Sequence, residues 1–247
     1  MNKAQETGIT IHRADSRGAA DFGWLKSRHT FSFANYFNPE RVQFGALRVL
    51  NDDEVAGGQG FGTHPHRDME IVSIPLAGGL EHKDSMGTGS VIRHGEVQVM
   101  SAGTGVLHSE YNASTTENVN FLQIWILPEK MGIEPRYEQK AFDLAANQDR
   151  LVTVVSPEDK AGALWINQQA RFSLGQLSAG STVEYETLRE GNGVYAFVID
   201  GSVDLIKGGD VEATLNKRDA AGLQDSGQLK IHAREASQVL LIDVPMR

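Results

Sequence analysis

The chain has 247 residues, and its 32 aspartates and glutamates outnumber its 23 lysines and arginines to give a formal net charge of -9. An acidic chain without a cluster of basic residues disfavours direct binding to nucleic acid or to an anionic membrane. Cysteine is absent, which excludes disulfides, thiolate metal sites and cysteine nucleophiles and agrees with a reducing cytoplasm. The N-terminal residues have no apolar core typical of a secretory signal, and the longest apolar runs are too short to span a bilayer. The sequence therefore predicts a soluble cytoplasmic protein.

Most of the chain consists of short apolar runs rich in β-branched and aromatic residues, separated by glycine-containing turns. Such runs predict the strands of a β-sandwich or a β-barrel. The clearest candidate strands lie at residues 44–51, 69–78, 95–103, 120–127, 171–177, 181–188, 193–203 and 237–244. Helical periodicity is confined to short stretches, of which roughly 138–147 is the best, and no strand–helix–strand alternation typical of a Rossmann fold is present. The predicted class is all-β with few short helices.

A segment rich in proline and charge, at residues 127–140, separates two halves with similar strand patterns. We predict two β domains of similar size, covering residues 1–130 and 131–247. The histidines are distributed unevenly, because seven of the eight precede residue 110 and only His232 follows it. If the two halves are duplicated barrels, the first has kept a polar site and the second has lost it.

Two pairs of residues in the first half have the spacing of a metal site. Residues i and i+2 of a strand point to the same face, so His64 and His66 project together, as do His108 and Glu110 on another strand. Three neutral imidazoles and one carboxylate suit a divalent first-row metal and leave one or two positions for water, substrate or O2. The donor set favours Fe, Ni, Cu, Mn or Zn, and the absence of sulfur disfavours a closed structural zinc site. Each pair alone is a weak signal in a histidine-rich region.

The residues around these pairs extend the pattern. Gly58 lies six positions before His64, and Glu70 lies four positions after His66, which resembles the first cupin motif, G-x5-H-x-H-x3-E. The surroundings of His108 resemble the second motif, G-x5-P-x-G-x2-H-x3-N, although a serine replaces its proline and the histidine lies further from the glycine. The context therefore strengthens two motifs that are weak in isolation.

Longer segments carry a more specific resemblance. The runs RHTFSFANYFNP, GTHPHRDMEIVSIPLAGGLEHKDSMG, MSAGTGVLHSEYN and LQIWILP closely resemble the pirin family, whose members are bicupins with one metal site in the N-terminal barrel. The likeness is strong from about residue 12 to residue 137 and rests on strand pattern beyond that. It implies a fold of two tandem jelly-roll β-barrels, with the metal site in the first barrel and a second barrel without one.

The resemblance also implies a ligand set and an activity. By motif position, the metal ligands of pirins correspond to His64, His66, His108 and Glu110. The implied activity is that of a quercetinase-type dioxygenase, in which O2 opens a flavonol ring and carbon monoxide leaves, with Fe(II) as the expected metal. Glu110 would be the catalytic base that accepts the proton of the flavonol 3-hydroxyl. The expected partners are a small aromatic substrate and O2.

Further residues are assigned roles around the predicted centre. The substrate pocket is expected to include Phe31, Phe33, Met69 and Trp125, which are placed by nearness in sequence or by the resemblance. Glu70 is expected to hydrogen bond the local hairpin or to orient a ligand imidazole, although it is itself a ligand in many other cupins. His82 is expected to lie in a loop or at the rim of the barrel.

Two other functions compete with the dioxygenase. The first is a non-enzymatic regulator that responds to metal or redox state through a protein partner, as some pirins do, because fold and site alone do not decide function. The second is a cupin isomerase acting on a sugar or sugar phosphate, for which the chain has no obvious lysine and arginine cluster. A third possibility for the histidines is a barrel whose metal site has decayed.

Overall fold

The computed structural model describes residues 8–158, 162–224 and 227–246. The described part of the first half and the connecting segment form strands β1 (Ile9–His12), β2 (Gly18–Asp21), β3 (Leu25–His29), β4 (Leu47–Val55), β5 (Gly60–His66), β6 (Glu70–Ala77), β7 (Gly79–Asp84), β8 (Gly89–Arg93), β9 (Glu96–Ser101), β10 (Val106–Asn112), β11 (Val119–Ile126) and β12 (Arg136–Ala141). The described part of the second half forms β13 (Leu151–Ser156), β14 (Leu164–Trp165), β15 (Arg171–Leu177), β16 (Thr182–Glu186), β17 (Asn192–Asp200), β18 (Ser202–Lys207), β19 (Asp210–Asn216), β20 (Ala220–Gln224), β21 (Gln228–Ala233) and β22 (Ser237–Pro245). Two 3-10 helices, Ala14–Ser16 and Ala145–Asn147, complete the regular structure of these residues.

The strands form two pairs of sheets in tandem. The first pair has a seven-stranded sheet in the order β12-β9-β6-β11-β4-β3-β2 and a four-stranded sheet in the order β5-β10-β7-β8. The second pair repeats this plan, with β1-β20-β17-β22-β15-β13-β14 and β16-β21-β18-β19. The predicted all-β class, with two barrels in tandem and few short helices, is confirmed. None of the helices in the described residues has the length and apolar character to span a membrane.

Two edge strands lie on the opposite side of the predicted division after residue 130. The first strand of the chain, β1, pairs with β20 in the second large sheet, where Ile9 faces Leu223. Conversely, β12 follows the division along the chain but pairs with β9 in the first large sheet, where Tyr137 faces Met100. Each large sheet is therefore completed by a strand from the other part of the chain, and the division itself stays a prediction.

The segment with the best helical periodicity forms no α-helix, so that expectation was wrong. Residues 136–141 form the edge strand β12, and only Ala145–Asn147 coil, as a 3-10 turn. Backbone pairing with β9 supplies hydrogen bonds that a weak local helix propensity cannot outweigh.

The largest apolar cluster lies between the two large sheets. It combines Leu50 and Ile124 of the first barrel with Phe172 and Leu240 of the second, all of them buried. A second cluster, drawn from both sheets of the second barrel, fills the interior of that barrel. The interior of the first barrel has only two smaller apolar clusters. The polar residues of the candidate site occupy the remaining space.

Candidate metal centre

Strands β5 and β10 bring three histidines together. In the antiparallel register, His108 lies directly opposite His64, and Val106 lies opposite His66. Because His64 and His66 share one face of β5, all three rings meet on the inner side of the sheet. The ring centroids are separated by 4.4 Å between His64 and His108, 4.8 Å between His66 and His108, and 4.9 Å between His64 and His66. The predicted histidine triad is thus assembled by strand register.

A β-bulge in β5 orients the side chain of His64. The register shifts between His108 and Glu110, since Glu110 faces Phe61 and β5 holds one residue more than β10 at this point. Within the bulge, the carbonyl of Gly62 accepts a hydrogen bond of 2.8 Å from Nδ1 of His64. A proton on Nδ1 leaves the lone pair of Nε2 available to a metal ion.

A buried chain of three residues fixes the tautomer of His108. Nε2 of His82 donates to Oδ2 of Asp84 at 2.9 Å, so Nδ1 of His82 is an acceptor. Nδ1 of His108 lies 3.4 Å from Nδ1 of His82 and donates to it. Nε2 of His108 is buried and has no hydrogen-bond partner. This nitrogen is therefore free to coordinate a metal ion.

The position of His82 corrects the expectation that it lies in a loop or at a rim. His82 lies in β7, is fully buried, and packs its ring against Tyr137 with centroids 4.6 Å apart. Both of its nitrogens are engaged, one by Asp84 and one by His108, so it has no free lone pair for a metal. A sequence signal was present: His82 and Asp84 have the i, i+2 spacing that places them on one face of a strand.

The rings of His66 and His108 are held in the neutral form that metal binding requires. Burial lowers the pKa of His66 to about 4, with a smaller contribution from His64. Burial lowers the pKa of His108 further, to about 2, and the neighbouring histidines add to the effect. Burial also lowers the pKa of His82, against the opposing influence of Asp84. At neutral pH, metal binding therefore need not displace a proton from these rings.

Glu110 lies beside the triad in a hydrogen-bonded, buried position. Nε2 of Gln123 donates to Oε2 of Glu110 at 2.7 Å, and the hydroxyl of Ser73 lies 3.4 Å from Oε1. Burial raises the pKa of Glu110 to about 7, and the hydrogen bonds from Gln123 and Ser73 oppose that rise. A carboxyl group with a pKa near neutrality is suited to accept and return a proton at physiological pH.

The predicted four ligands are present as a triad and an adjoining carboxylate. Donor atoms of His64, His66 and His108 all lie within 4.8 Å of one another. Glu110 belongs to an overlapping group with His82 and His108, defined by the same limit. Three imidazoles, two of them with Nε2 left free by hydrogen bonds on Nδ1, and one carboxylate fit a divalent first-row metal. The role of the four residues as ligands stays a prediction.

A cavity of about 430 Å³ adjoins the triad. His64, His66 and Glu110 form one end of its wall, and Phe33 and Trp125 lie beside them. Its other lining residues are Ala19, Ala20, Phe22, Leu25, Ser27, His29, Ala34, Asn35, Tyr36, Asn51, Asp53, Phe61 and Gln123. The volume falls within the range of small-molecule sites.

Two of the four predicted pocket residues lie elsewhere. Phe31 is buried in the apolar cluster between the large sheets, where its ring contacts those of His12 and Tyr195. Met69 packs against a small cluster around Ile71 and is absent from the cavity lining. Nearness to a motif in sequence does not fix the face on which a side chain lies, so the assignment of Phe31 and Met69 was wrong.

Comparison with known proteins agrees with this architecture. The family model for pirin matches residues 11–126, and a model described as a quercetinase C-terminal cupin domain matches residues 153–244. A protein of Escherichia coli named quercetin 2,3-dioxygenase is 44% identical over 96% of this chain and 99% of its own length. The chain belongs to the pirin family. The resemblance seen in the sequence is thereby confirmed.

Other pirins extend the comparison to structure and metal. A pirin-like protein of Caulobacter vibrioides is 40% identical over 93% of this chain and 96% of its own length. The crystal structure of the bacterial pirin YhhW from Escherichia coli in complex with nickel(II) superposes with a TM-score of 0.89. Its sequence identity is 43%, covering 96% of this chain and 99% of that chain. The nickel in this relative and the donor set described above together support a divalent metal.

In this pirin, Glu70 forms hydrogen bonds to residues in both halves of the chain. It lies on the face of β6 opposite to Ser73, and its Oε2 accepts hydrogen bonds from the hydroxyl of Ser101 at 2.7 Å and from the backbone N–H of Asn167 at 3.1 Å. Asn167 belongs to the second half of the chain, whereas Ser101 lies opposite Glu70 on β9. Glu70 therefore bonds β9 of its own sheet and the second half of the chain, and these contacts include neither the local hairpin nor a ligand imidazole, the two roles expected for it.

We expect Asp84→Asn to weaken metal binding about 10- to 100-fold, as loss of an outer hydrogen bond to a ligand histidine does. Oδ1 of Asp84 accepts from the N–H groups of Met86 and Thr88, so the new amide nitrogen would face His82 and donate to it. The proton of His82 would then move to Nδ1, and that of His108 to the metal-facing Nε2. Competition between this pirin and a chelator for Ni(II) measures the effect.

The matched control for this variant is Glu81→Gln, a carboxyl-to-amide change on the same strand whose side chain pairs with Lys83 and is partly exposed. Its affinity for Ni(II) should equal that of the wild type. An unchanged affinity in Asp84→Asn would show that the Asp84–His82–His108 chain does not govern the tautomer of His108.

Proposed function

We propose that this pirin is a metal-dependent dioxygenase that opens the ring of flavonols such as quercetin with O2 and releases carbon monoxide. The observation that carries the proposal is the meeting of three imidazoles and a buried carboxyl group at the wall of a largely apolar cavity. The name of the related Escherichia coli protein, quercetin 2,3-dioxygenase, supports the choice of reaction.

His64, His66 and His108, together with Glu110, would hold the metal ion. We propose Fe(II) as the native ion, with Ni, Cu, Mn and Zn also compatible with the donor set. When bound, the ion supplies Lewis acidity, which lowers the pKa of a hydroxyl group placed beside it.

Glu110 is the residue that we assign to proton transfer. A carboxylate oxygen of Glu110 accepts the proton of the flavonol 3-hydroxyl, which leaves the electron-rich form of the substrate that reacts with O2. The hydrogen bond from Gln123 holds the carboxyl group in place. Burial raises its pKa, which favours acceptance of a proton, whereas a bound cation lowers it, which favours return of the proton.

The remaining walls orient the substrate and limit the access of water. Trp125 contacts one candidate ligand and one aromatic residue of the cavity wall. Its ring lies edge-on to His66, with centroids 5.0 Å apart, and edge-on to Phe33, with centroids 5.4 Å apart. Together with Phe61 and Leu25, these rings make a surface against which a flat aromatic molecule can pack. An apolar wall that excludes water strengthens the electrostatic interactions of Glu110 with the substrate.

The test is turnover of quercetin in air by protein loaded separately with Fe(II), Ni(II) or Cu(II). We expect the flavonol absorbance to decay and carbon monoxide to appear with at least one metal. His64→Ala should lose both, whereas His94→Ala, a histidine that contacts the carbonyl of Pro75 away from the cavity, should retain them. Absence of turnover with every metal would refute the proposal, and metal-dependent capture of a protein partner would then favour the regulatory hypothesis.

A further inference from the structure

A row of polar side chains crosses the large sheet of the first barrel. Ser73 on β6 lies directly opposite Gln123 on β11, Gln123 lies opposite Asn51 on β4, and Asn51 lies opposite His29 on β3. Side chains that are paired in this way share one face of a sheet. The row therefore runs from the candidate metal centre, where Ser73 and Gln123 contact Glu110, along the wall of the cavity.

The far end of the row is buried but unsatisfied. His29, Asn51 and Asp53 are only 4%, 2% and 5% exposed, and all three line the cavity. Nδ1 of His29, Oδ1 of Asn51 and Oδ1 of Asp53 have no hydrogen-bond partner in the protein. Buried polar groups in folded proteins are nearly always hydrogen bonded, and exceptions at a cavity wall point to a ligand or to water.

The unsatisfied atoms have a common chemistry. The amide oxygen of Asn51 and the carboxylate oxygen of Asp53 can only accept hydrogen bonds, and His29 can accept through Nδ1 when its proton is on Nε2. Burial raises the pKa of Asp53 to about 7, in spite of a hydrogen bond from Ser27, so hydroxyl donors from a ligand would stabilise its charged form. The surrounding wall is apolar, with Phe22 and Leu25 among its residues.

The distance from the metal centre fits a ligand that spans the cavity. His29 is two strands away from Gln123, which corresponds to roughly 10 Å at the usual spacing between strands. Asp53 lies two residues beyond Asn51 on the same face of β4, further along the cavity wall. A three-ring flavonol bound through its 3-hydroxyl at the metal end would extend its pendant ring toward these residues.

We propose that Asn51 and Asp53, assisted by His29, form a subsite that accepts hydrogen bonds from phenolic hydroxyl groups on the pendant ring of the substrate. The subsite selects polyhydroxylated aromatic substrates over analogues that lack those hydroxyls. This inference rests on the proposed function, because it assumes that a flavonol occupies the cavity.

The test compares quercetin, which has two hydroxyls on the pendant ring, with galangin, which has none there. Dissociation constants are measured for Ni(II)-loaded protein without O2, and turnover is measured in air. The wild type should bind quercetin about tenfold or more tightly than galangin, because a site built to bond a hydroxyl rejects the analogue without it. Asp53→Ala should reduce this preference to less than about threefold, and Asn51→Ala should reduce it in the same direction.

The matched control is Glu54→Ala, the same type of change one residue along β4, at a side chain that is 42% exposed and pairs with Lys26. It should keep the wild-type preference. Metal content and melting temperature identify a variant that has failed to fold, and Asn51→Ala then carries the comparison. A wild type that turns over both flavonols without preference, or folded variants that keep the preference, would overturn the subsite alone. A wild type that turns over neither flavonol would overturn the proposed function and the subsite with it.

Discussion

Replacing His108 with alanine is expected to abolish metal binding and turnover. His108 contributes to both groups of clustered donor atoms, and its Nε2 is buried without a hydrogen-bond partner, so its removal takes one donor from each group. Loss of the ion removes several kcal/mol of charge stabilisation, which corresponds to a fall in kcat/KM of at least about 10³-fold. Elemental analysis of the purified variant should give a metal content near zero.

The control for this variant is His232→Ala, at a histidine of the second barrel that bonds the hydroxyl of Thr182. It should keep the metal content and the turnover of the wild type. A His108→Ala protein that retains stoichiometric metal would mean that the ion binds elsewhere, and the site described above would have to be abandoned.

We expect Glu110→Gln to keep the metal but lower kcat about 10²- to 10⁴-fold, the range of general acid–base catalysis. The amide has nearly the shape of the carboxyl group, and the three histidines remain to hold the ion. An amide cannot accept the substrate proton, however. In the wild type, activity should fall as the pH drops through the pKa of Glu110, because the protonated carboxyl group is no longer a base.

Steady-state kinetics over a pH series, with metal content measured in parallel, checks this prediction. The variant should lose the acidic limb of the pH profile that the wild type shows. Glu81→Gln, at an exposed pair with Lys83, serves as the control and should reproduce the wild-type profile. A kcat within about threefold of the wild type would assign the proton transfer to another group, since the expected loss from removing a general base is far larger.

The sequence predicted faces of strands well, but it could not predict which strands would meet. The i, i+2 spacing of His64 and His66 places their side chains on one side, and the same holds for His108 and Glu110. That β5 lies beside β10 with His64 opposite His108 depends on pairing between distant segments, and here the resemblance to pirins supplied what the spacing alone could not. The run at 171–177 was located to the residue, because its apolar residues stand between polar and small residues on both sides.

Misplaced residues share a physical cause. Phe31 was assigned to the pocket by nearness in sequence or by the resemblance, yet it packs between the barrels while Phe33 lines the cavity. Glu70 follows the histidine motif, but strand alternation turns it away from Ser73 and toward the second barrel. His82 was assigned to a loop or a rim because it follows a glycine turn, although β7 places it opposite Glu110 and in contact with His108. In all three cases the surroundings of the side chain come from segments that are distant in sequence, which a local pattern does not specify.

Because β1 pairs in the second large sheet and β12 pairs in the first, completion of each sheet depends on a strand from the other part of the chain. Strand β1 has its partner, β20, more than 200 residues further along the chain, where Ile9 meets Leu223. The half with the candidate metal centre is therefore synthesised before the strand that β1 pairs with. Separating the two halves after residue 130 would leave an unpaired strand edge on each large sheet, and exposed strand edges promote association with other chains. We therefore expect the second barrel, which has no candidate metal cluster in its described residues, to be required for the stability of the first.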